Sequence, residues 1–215
     1  MFNPLRHLLK RKVGVALGSG GAKGIAHVAV LNYLKSMGIP VHMIAGSSIG
    51  AVVGALYGAG VMERFISDLL SMGKRDLISF FDPVFPRSGL VQGKRFISFL
   101  TGYIPADTLI EDLSVPLAVC ATEFSSGMTV VFRKGNLLDA LRASISIPGV
   151  MVPVKYRGTF LLDGGVANPL PVNIVKSMGA GLTIAVNLHP RVRKGKIRTF
   201  VKSEMHRFQL VMDAD

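Results

Sequence analysis

The stretch Gly46-Ser47-Ser48-Ile49-Gly50 constrains the fold more than any other part of the sequence. An apolar run, Val41–Ala45, precedes it, and a second apolar run, Ala51–Tyr57, follows it. This context predicts a strand, an abrupt turn and a helix, with Ser48 held at the apex of the turn. Glycines on either side are expected because a side chain there would collide with the neighbouring strand or helix. Ser48 is therefore a candidate nucleophile at a helix N-terminus, where outward N–H groups favour an oxyanion.

The order of the predicted elements indicates an α/β fold with a parallel sheet. Val13–Leu17 is predicted as a buried strand and Ile25–Met37 as a helix. The strand before Ser48 comes next, so the chain opens β-α-β-α with right-handed crossovers. The side chains expected to face the core from the first helix are Ile25, Val28, Ala29, Leu31 and Leu34. Further predictions are strands at Leu117–Glu123 and Thr129–Arg133, a helix at Leu137–Ser144, a hairpin around Arg157-Gly158, and a last core strand at Leu182–Leu188.

Length and charge favour one domain with a basic surface. A chain of 215 residues is long enough for one full core, so we expect a basic segment at 1–12 and one domain at 13–215. The formal net charge of +12 attracts anionic surfaces, unless it serves solubility alone. The basic residues lack the aromatic interleaving or zinc spacing of nucleic-acid modules, so no nucleic-acid partner is expected. An anionic bilayer is the expected partner, at about 1 kcal/mol per Lys or Arg near its surface.

A membrane span at residues 41–61 is an alternative interpretation. The segment carries no charged residue and its length is close to the ~20 residues that cross a bilayer. Glycines recur at every fourth position, as in packed membrane helices: Gly46, Gly50, Gly54 and Gly58. Adjacent serines and many glycines make it a weak continuous helix, and a strand-turn-helix explains the same glycines. An integral membrane protein therefore stays open as a second hypothesis.

The glycine-rich loop Gly18-Ser19-Gly20-Gly21-Ala22-Lys23-Gly24 follows the first predicted strand and opens a helix. A dinucleotide-binding oxidoreductase is one interpretation, but the acidic residue expected ~20 positions further on is absent, since the first in the chain is Glu63. The favoured interpretation is an oxyanion hole formed by Gly20, Gly21, Ala22 and Lys23 around the Ser48 apex. A well-placed donor stabilises the transition state by about 3 kcal/mol. The Lys23 side chain would hold the loop, attract a phosphate or simply be solvated.

Asp163 is the predicted base for Ser48. Asp163-Gly164-Gly165 ends a predicted strand, and sites of open α/β sheets collect at strand ends. An unperturbed aspartate, with a pKa near 3.9, is a feeble base at neutral pH, and burial would raise that pKa. His189 is the rival base, because it follows Asp163 in the order Ser, Asp, His used by α/β-hydrolases.

Cysteine and histidine placement predicts neither disulfide nor metal. Cys120 is the single cysteine and lies in an apolar run that suggests a buried strand. No pair of histidines has a metal-ligand spacing with nearby acids, so no metal is expected. With no good signal peptide, we expect a cytoplasmic protein with peripheral contact at the inner membrane surface.

Taken together, these motifs resemble those of the patatin-like phospholipase family. The resemblance rests on the glycine loop at 18–24, the Ser48 pentapeptide and Asp163-Gly164-Gly165. Two more segments match in family order: Ala143-Ser144-Ile145-Ser146-Ile147-Pro148, followed by Pro153-Val154, and Asn168-Pro169-Leu170-Pro171-Val172. The matches run from Val13 to about Asn187, so residues 13–215 are expected to form a patatin-like acyl hydrolase domain.

The resemblance implies a three-layer α/β/α fold with a mainly parallel central sheet. It implies hydrolysis of lipid acyl esters through an acyl-enzyme on Ser48, with Asp163 as base and no catalytic histidine. No metal or organic cofactor is implied. The oligomeric state is not predicted. Candidates for the wall or lid of an acyl pocket, although core packing is the stronger interpretation for them, are Phe80, Phe81, Phe96 and Phe99.

Overall fold

A computed structural model describes residues 11–71 and 93–189 of the chain. The basic segment at 1–12 lies almost entirely outside the described residues, as do Phe80 and Phe81. The strands are β1 (Val13–Leu17), β2 (Met43–Ser47), β3 (Leu117–Glu123), β4 (Thr129–Phe132), β5 (Val154–Tyr156), β6 (Thr159–Asp163) and β7 (Leu182–Val186). The helices are α1 (Ile25–Ser36), α2 (Ile49–Gly58), α3 (Met62–Ser71), α4 (Lys94–Leu100), α5 (Leu137–Ser144), α6 (Gly164–Ala167) and α7 (Val172–Ser177). Short 3-10 turns lie at Gly21–Gly24 and Ile110–Asp112.

In the described residues, the strands form one sheet in the order β5-β6-β3-β2-β1-β7, and β4 pairs with β3 outside this path. The β7-β1-β2-β3 part is parallel, as the β-α-β-α opening predicts. β4, β5 and β6 join it in antiparallel pairings. The core strand predicted at Leu182–Leu188 is present as β7 but ends at Val186; β7 is the last strand of the path, and its side chains are partly buried or exposed.

Strands β2 and β6 meet end to end on one edge of β3. The β2 register ends with Ser47 opposite Cys120, and the antiparallel β6 register ends with Asp163 opposite Ala121. β4 pairs with Val119 to Thr122 and therefore occupies the other edge of β3. β2 and β6 thus run towards each other along the same edge, and their last residues stop at adjacent positions. This arrangement places Asp163 beside the turn that carries Ser48.

The sheet is covered on both faces, as a three-layer α/β/α fold requires. One face carries Val15, Leu17 and Ile44, which pack in a large core with α1, α2, α3, α4 and α5. The other face carries the small side chains Ala16, Ala45 and Ala118, which pack with Val175 of α7. Alternation along each strand directs successive side chains to opposite faces. The predicted fold class is therefore confirmed.

The glycines around Ser48 are required by close backbone approach. A Cβ built on Gly46 would lie 2.5 Å from the Ala51 backbone nitrogen, and one on Gly50 would lie 2.2 Å from the Leu17 carbonyl oxygen. Ser48 itself has φ 56° and ψ −126°, a conformation that non-glycine residues adopt at a cost of order 1–3 kcal/mol. The predicted strand, turn and helix are therefore present, with β2 ending at Ser47 and α2 beginning at Ile49.

Residues 41–61 do not form one continuous helix. They form β2, the turn at Ser48 and the ten-residue helix α2, so the proposed span is wrong. Across the residues that the structure describes, no helix combines the length and the apolar character needed to cross a membrane. The same four glycines allow close packing instead: Gly46 lies against the start of α2, Gly50 against β1, Gly54 against β2 and β3, and Gly58 against residues 113–115.

The inward face of α1 differs from the prediction. Ile25 is 52% exposed and Ala29 is also exposed, whereas Val28, Leu31 and Leu34 are buried as expected. His27 is fully buried, so a histidine faces the core near the start of α1, where the hydrophobic pattern predicts Ile25. A polar residue on an apolar face was not recognised because its partner, the Gly18 carbonyl, belongs to the preceding loop.

Substituting Gly50 with alanine is expected to lower the free energy of unfolding by at least about 3 kcal/mol, because the Leu17 main chain cannot move away from the new methyl group. The measurement is the denaturant midpoint at constant m-value. Gly102→Ala is the control, since its nearest atom, the Phe99 carbonyl oxygen, is 3.3 Å from the new carbon and the site is exposed. Its expected effect is within about 0.5 kcal/mol. Equal midpoints for both variants would contradict the steric argument.

Candidate active site

The side chains of Ser48 and Asp163 are joined by a short hydrogen bond. The Ser48 hydroxyl donates to Asp163 Oδ2 at 2.5 Å, and both residues are buried. Ser48 comes from the turn after β2 and Asp163 from the end of β6, 115 positions later in the chain. The structure therefore brings together the two residues that the sequence analysis selected as nucleophile and base.

The second oxygen of Asp163 caps helix α6. Oδ1 accepts from the Gly165 N–H at 2.7 Å, which fixes the carboxylate plane and leaves Oδ2 for Ser48. The Asp163 carbonyl accepts from the Thr122 hydroxyl at 2.8 Å, which ties the base to β3. Both carboxylate oxygens are thus engaged, one by the main chain and one by the serine.

Gly164 and Gly165 are needed because the chain beside Asp163 leaves no room for a side chain at either position. A Cβ on Gly164 would lie 2.1 Å from the Cys120 carbonyl oxygen, and one on Gly165 would lie 2.7 Å from the Ser19 side chain. The two glycines let the base approach β3 on one side and the glycine loop on the other. This close approach is the physical content of the Asp-Gly-Gly motif.

Burial makes Asp163 a stronger base than an ordinary aspartate. Desolvation raises the pKa of its carboxyl to about 6, against the opposing hydrogen bonds from Ser48 and Gly165. An acid with this pKa is mostly ionised at neutral pH and still accepts a proton readily. Burial therefore raises the pKa of Asp163, in the direction expected from the sequence.

The glycine loop presents unpaired N–H groups beside Ser48. Among the described residues, the N–H groups of Gly20, Gly21 and Ala22 have no hydrogen-bond acceptor. The loop packs on the residue after Ser48, since a Cβ on Gly24 would lie 2.1 Å from Ile49 Cγ1. The Lys23 N–H differs, because it donates to the Gly20 carbonyl at 3.3 Å within the turn. Of the four residues predicted to form an oxyanion hole, three thus have a main-chain N–H without an acceptor among the described residues.

The side chain of His27 contacts Gly18, the first residue of the glycine loop. Its Nε2 lies 2.6 Å from the Gly18 carbonyl oxygen, and since a carbonyl only accepts, Nε2 carries the proton. Burial lowers the pKa of the imidazole, so the ring is neutral around pH 7. Its other ring nitrogen is buried without a hydrogen-bond partner in the described part of the chain. The sequence patterns do not single out His27, whose one signal is a histidine within an apolar helix face.

The segment at Asn168-Pro169 joins the elbow to the glycine loop. The Asn168 carbonyl accepts from the Ser47 hydroxyl at 2.6 Å, and the Pro169 carbonyl accepts from the Ser19 N–H at 2.8 Å. Residues 168–169, shortly after Asp163, therefore hold both the residue before Ser48 and the start of the predicted oxyanion loop. This contact accounts for the position of Asn168-Pro169 in the set of sequence motifs.

His189 lies near the site, but its side chain contacts Ser19 and not Ser48. Its Nε2 is 2.8 Å from the Ser19 hydroxyl oxygen, and its ring is exposed. The hydrogen bond of Ser48 goes to Asp163, so the Ser-Asp-His arrangement considered from the sequence is not the one that the structure forms.

The aromatic candidates for an acyl pocket pack into the core where they are described. Phe99 makes edge-on ring contacts with Phe65 and Tyr103 at centroid distances of 5.8 and 5.4 Å. Phe96 is partly buried against the same core. In residues 11–71 and 93–189, no three His, Cys, Asp or Glu side chains are grouped as metal ligands would be.

Comparison with known proteins agrees with the motifs and the fold. A family model described as patatin-like phospholipase matches residues 15–176. A Mycobacterium tuberculosis protein described as an uncharacterized NTE family protein is 38% identical over 178 residues, which cover 83% of this chain and 49% of that protein. A lysophospholipase of Scheffersomyces stipitis is 33% identical over 194 residues, which cover 85% of this chain and 12% of that protein.

The fold has a counterpart among solved structures. The crystal structure of VipD from Legionella pneumophila superposes with a TM-score of 0.53 and 14% sequence identity, over 75% of this chain and 47% of that one. The chain thus spans about half the length of the mycobacterial relative, and less of the Scheffersomyces stipitis relative.

The raised pKa of Asp163 predicts a pH-dependent loss of stability. Between its unfolded value of 3.8 and its folded value of about 6, the folded protein holds a proton that the unfolded chain has released. The free energy of unfolding is therefore expected to fall by about 3 kcal/mol as pH rises through this window. Asp163→Asn removes the titrating group, so the free energy of unfolding of the variant, relative to that of wild type, should rise by about 2–3 kcal/mol from pH 4 to pH 7. Denaturant titrations at each pH measure it, and parallel curves would contradict the prediction.

Proposed function

Because the chain belongs to the patatin-like phospholipase family, we propose that it hydrolyses acyl esters of lipids and that Ser48 and Asp163 form its catalytic dyad. The observation that carries this proposal is the 2.5 Å hydrogen bond from the Ser48 hydroxyl to Asp163 Oδ2, within a buried site. A serine with an adjacent base is the arrangement that nucleophilic acyl transfer requires.

In the acylation step, Ser48 Oγ attacks the carbonyl carbon of the ester while Asp163 takes the hydroxyl proton. The strained backbone at Ser48 holds Oγ at the apex of the elbow, so attack needs no rotation of the main chain. The resulting tetrahedral intermediate collapses, the alcohol leaves with the proton from Asp163, and the acyl group stays on Ser48.

The oxyanion of that intermediate would be held by main-chain donors. Gly20, Gly21 and Ala22 supply unpaired N–H groups from the loop beside Ile49. The N-terminus of α2 adds a favourable dipole. Its first N–H groups have no partner within the helix, since the first engaged donor is the N–H of Ala51. Such preorganised donors are the largest single contribution in many acyl-transfer enzymes.

In the deacylation step, a water molecule attacks the acyl carbon of the acyl-enzyme. Asp163 accepts a proton from this water and returns it to Ser48 Oγ as the serine leaves, which releases a carboxylic acid. The base therefore cycles between ionised and protonated forms, and its pKa of about 6 suits both halves of the cycle near neutral pH.

Lysophospholipids are the substrate class that we place first. One relative is described as a lysophospholipase, and the family model is described as a phospholipase. A single-chain lipid presents one acyl ester, which hydrolysis divides into a fatty acid and a glycerophospho-alcohol. Phospholipids and neutral glycerides form the comparison set of a substrate screen.

Labelling with a fluorophosphonate probe tests the dyad. We expect wild type and His189→Ala to label, whereas Ser48→Ala and Asp163→Asn lose labelling, since the first variant lacks the nucleophile and the second the base. The loss in lysophospholipid hydrolysis for Asp163→Asn should be at least about 10³-fold. Circular dichroism checks that each variant is folded. Labelling that persists in Ser48→Ala, or disappears in His189→Ala, would overturn the assignment.

We also propose peripheral contact of the site face with an anionic membrane. Two exposed apolar side chains flank the site: Ile25 directly follows the glycine loop, and Ile147 follows Ser146, whose carbonyl accepts from the Asp163 N–H. The chain carries a formal net charge of +12. Apolar side chains that enter the lipid boundary, combined with basic charge, are the usual means of interfacial binding.

Vesicle co-sedimentation tests this contact. Binding to phosphatidylserine-containing vesicles should exceed binding to pure phosphatidylcholine vesicles and should weaken as salt is added. The double variant Ile25→Asn/Ile147→Asn should bind both vesicle types less well. Tyr33→Asn is the matched control, because Tyr33 is 64% exposed but lies two turns further along α1. Equal binding to both vesicle types, or an unaffected double variant, would contradict the proposal.

A further inference from the structure

The sequence motif at Ala143-Ser144-Ile145-Ser146-Ile147-Pro148 has no part in the mechanism above, yet Ser144 touches the elbow. The Ser144 hydroxyl accepts from the Ser48 N–H at 2.9 Å and donates to the Cys120 carbonyl at 2.6 Å. Ser144 is fully buried at the end of α5. Its hydroxyl therefore bridges the main chain of Ser48 to strand β3.

The bridge replaces a hydrogen bond that the sheet loses at the elbow. In the β2–β3 ladder, the Ile44 N–H donates to the Pro116 carbonyl, and parallel pairing repeats every second residue. Two further steps along this series would join the Ser48 N–H to the Cys120 carbonyl. The chain turns into α2 at that point, and the Ser144 hydroxyl lies between the two groups that the ladder would otherwise have paired.

The Ser48 N–H needs this acceptor because no other element in residues 11–71 and 93–189 supplies one. Ser48 is the N-cap of α2, so its N–H lies outside the helical hydrogen-bond pattern. Both Ser48 and Ser144 are buried, so water is a poor substitute. A conformation at φ 56° persists only where its surroundings determine it, and the hydroxyl is a direct contact to that strained unit.

We propose that Ser144 is a positioning residue for the nucleophile: its hydroxyl continues the β2–β3 ladder and thereby fixes the main chain of Ser48 in the reactive conformation. This inference rests on the proposed function of Ser48. It assigns to Ser144 no contact with substrate and no proton transfer. A loss of the bridge moves Oγ relative to Asp163 and the loop donors, and a misplacement of 1 Å costs about 10²-fold in rate.

Three variants separate this role from packing. Ser144→Ala removes the bridge, Ser144→Thr keeps the hydroxyl but adds a methyl group to a fully buried site, and Ser114→Ala is the control. Ser114 also donates its hydroxyl to a backbone carbonyl, that of Gly58 at 2.6 Å, but at the far end of α2. Measurements are kcat and KM for a soluble ester, the fluorophosphonate labelling rate, Tm, and the pH profile of kcat/KM.

The two Ser144 variants are expected to differ in opposite directions: one loses more activity and the other loses more stability. Ser144→Ala should lower kcat and the labelling rate by about 10- to 100-fold with KM within about twofold. The acid limb of its pH profile should move to higher pH, because a displaced Ser48 hydroxyl no longer lowers the pKa of Asp163 against the effect of burial, while the contact with Gly165 is unchanged. Ser144→Thr should lose more Tm through overpacking but retain most of the rate. Ser114→Ala should keep the wild-type rate.

Two results would overturn the inference. A labelling rate of Ser144→Ala within about threefold of wild type would show that the bridge does not position Ser48, since its loss is expected to cost far more. Equal rates for Ser144→Thr and Ser144→Ala would assign the effect to packing.

A structural readout separates this inference from the proposed function. Amide hydrogen exchange at Ser48, followed by NMR, should be protected in wild type and faster in Ser144→Ala, and it needs no activity. An inactive wild type with this exchange difference would refute the hydrolase proposal alone, whereas unprotected exchange in wild type would refute the bridge.

Discussion

The end-to-end meeting of β2 and β6 on one edge of β3 is the constraint on which the site depends. Ser47 pairs with Cys120 and Asp163 with Ala121, so two strands far apart in sequence stop at neighbouring positions. Neither strand can be longer without displacing the other. The chain must therefore turn away from the sheet at the end of each strand. One turn becomes the elbow with Ser48 and the other becomes the cap of α6 with Asp163. The pairing of strands in the sheet, rather than any local motif, sets the distance between the two side chains.

This arrangement concentrates unfavourable features in a few residues and supports them with rigid neighbours. Ser48 adopts a left-handed φ, and Asp163 carries a carboxyl that burial disfavours in its charged form. The surrounding main chain approaches closely enough that Gly46, Gly50 and Gly164 cannot carry a side chain. Strain and buried charge are retained at functional sites when the surrounding structure leaves no alternative. Here that support comes from parallel strands whose side chains are almost entirely buried.

Local patterns predicted the elbow, the glycine loop and the parallel opening of the sheet, because each depends on residues adjacent in sequence. Asp163 was selected by the rule for ends of parallel strands, although β6 is antiparallel and reaches the site from the opposite direction. Contacts across long separations were not predictable: Ser144 lies 96 positions from Ser48, and its partner Cys120 reads only as a strand residue. His27 escaped notice for a different reason, since its burial contradicts the apolar period of α1 and only its contact with the Gly18 carbonyl explains it.

The number of donors around Asp163 explains how an aspartate can serve as the base in the proposed mechanism without a histidine. A carboxylate that accepts two or three main-chain N–H bonds is held in its charged form, and its pKa falls well below its usual value. Asp163 accepts one such bond, from Gly165, and gives its second oxygen to the Ser48 hydroxyl. Burial then outweighs these two contacts and raises the pKa to about 6. The single cap orients the carboxylate at little loss of basicity, whereas a second main-chain donor at Oδ2 would both lower the pKa and displace the nucleophile. The unpaired N–H groups nearby belong instead to the glycine loop, where the mechanism needs them for the oxyanion.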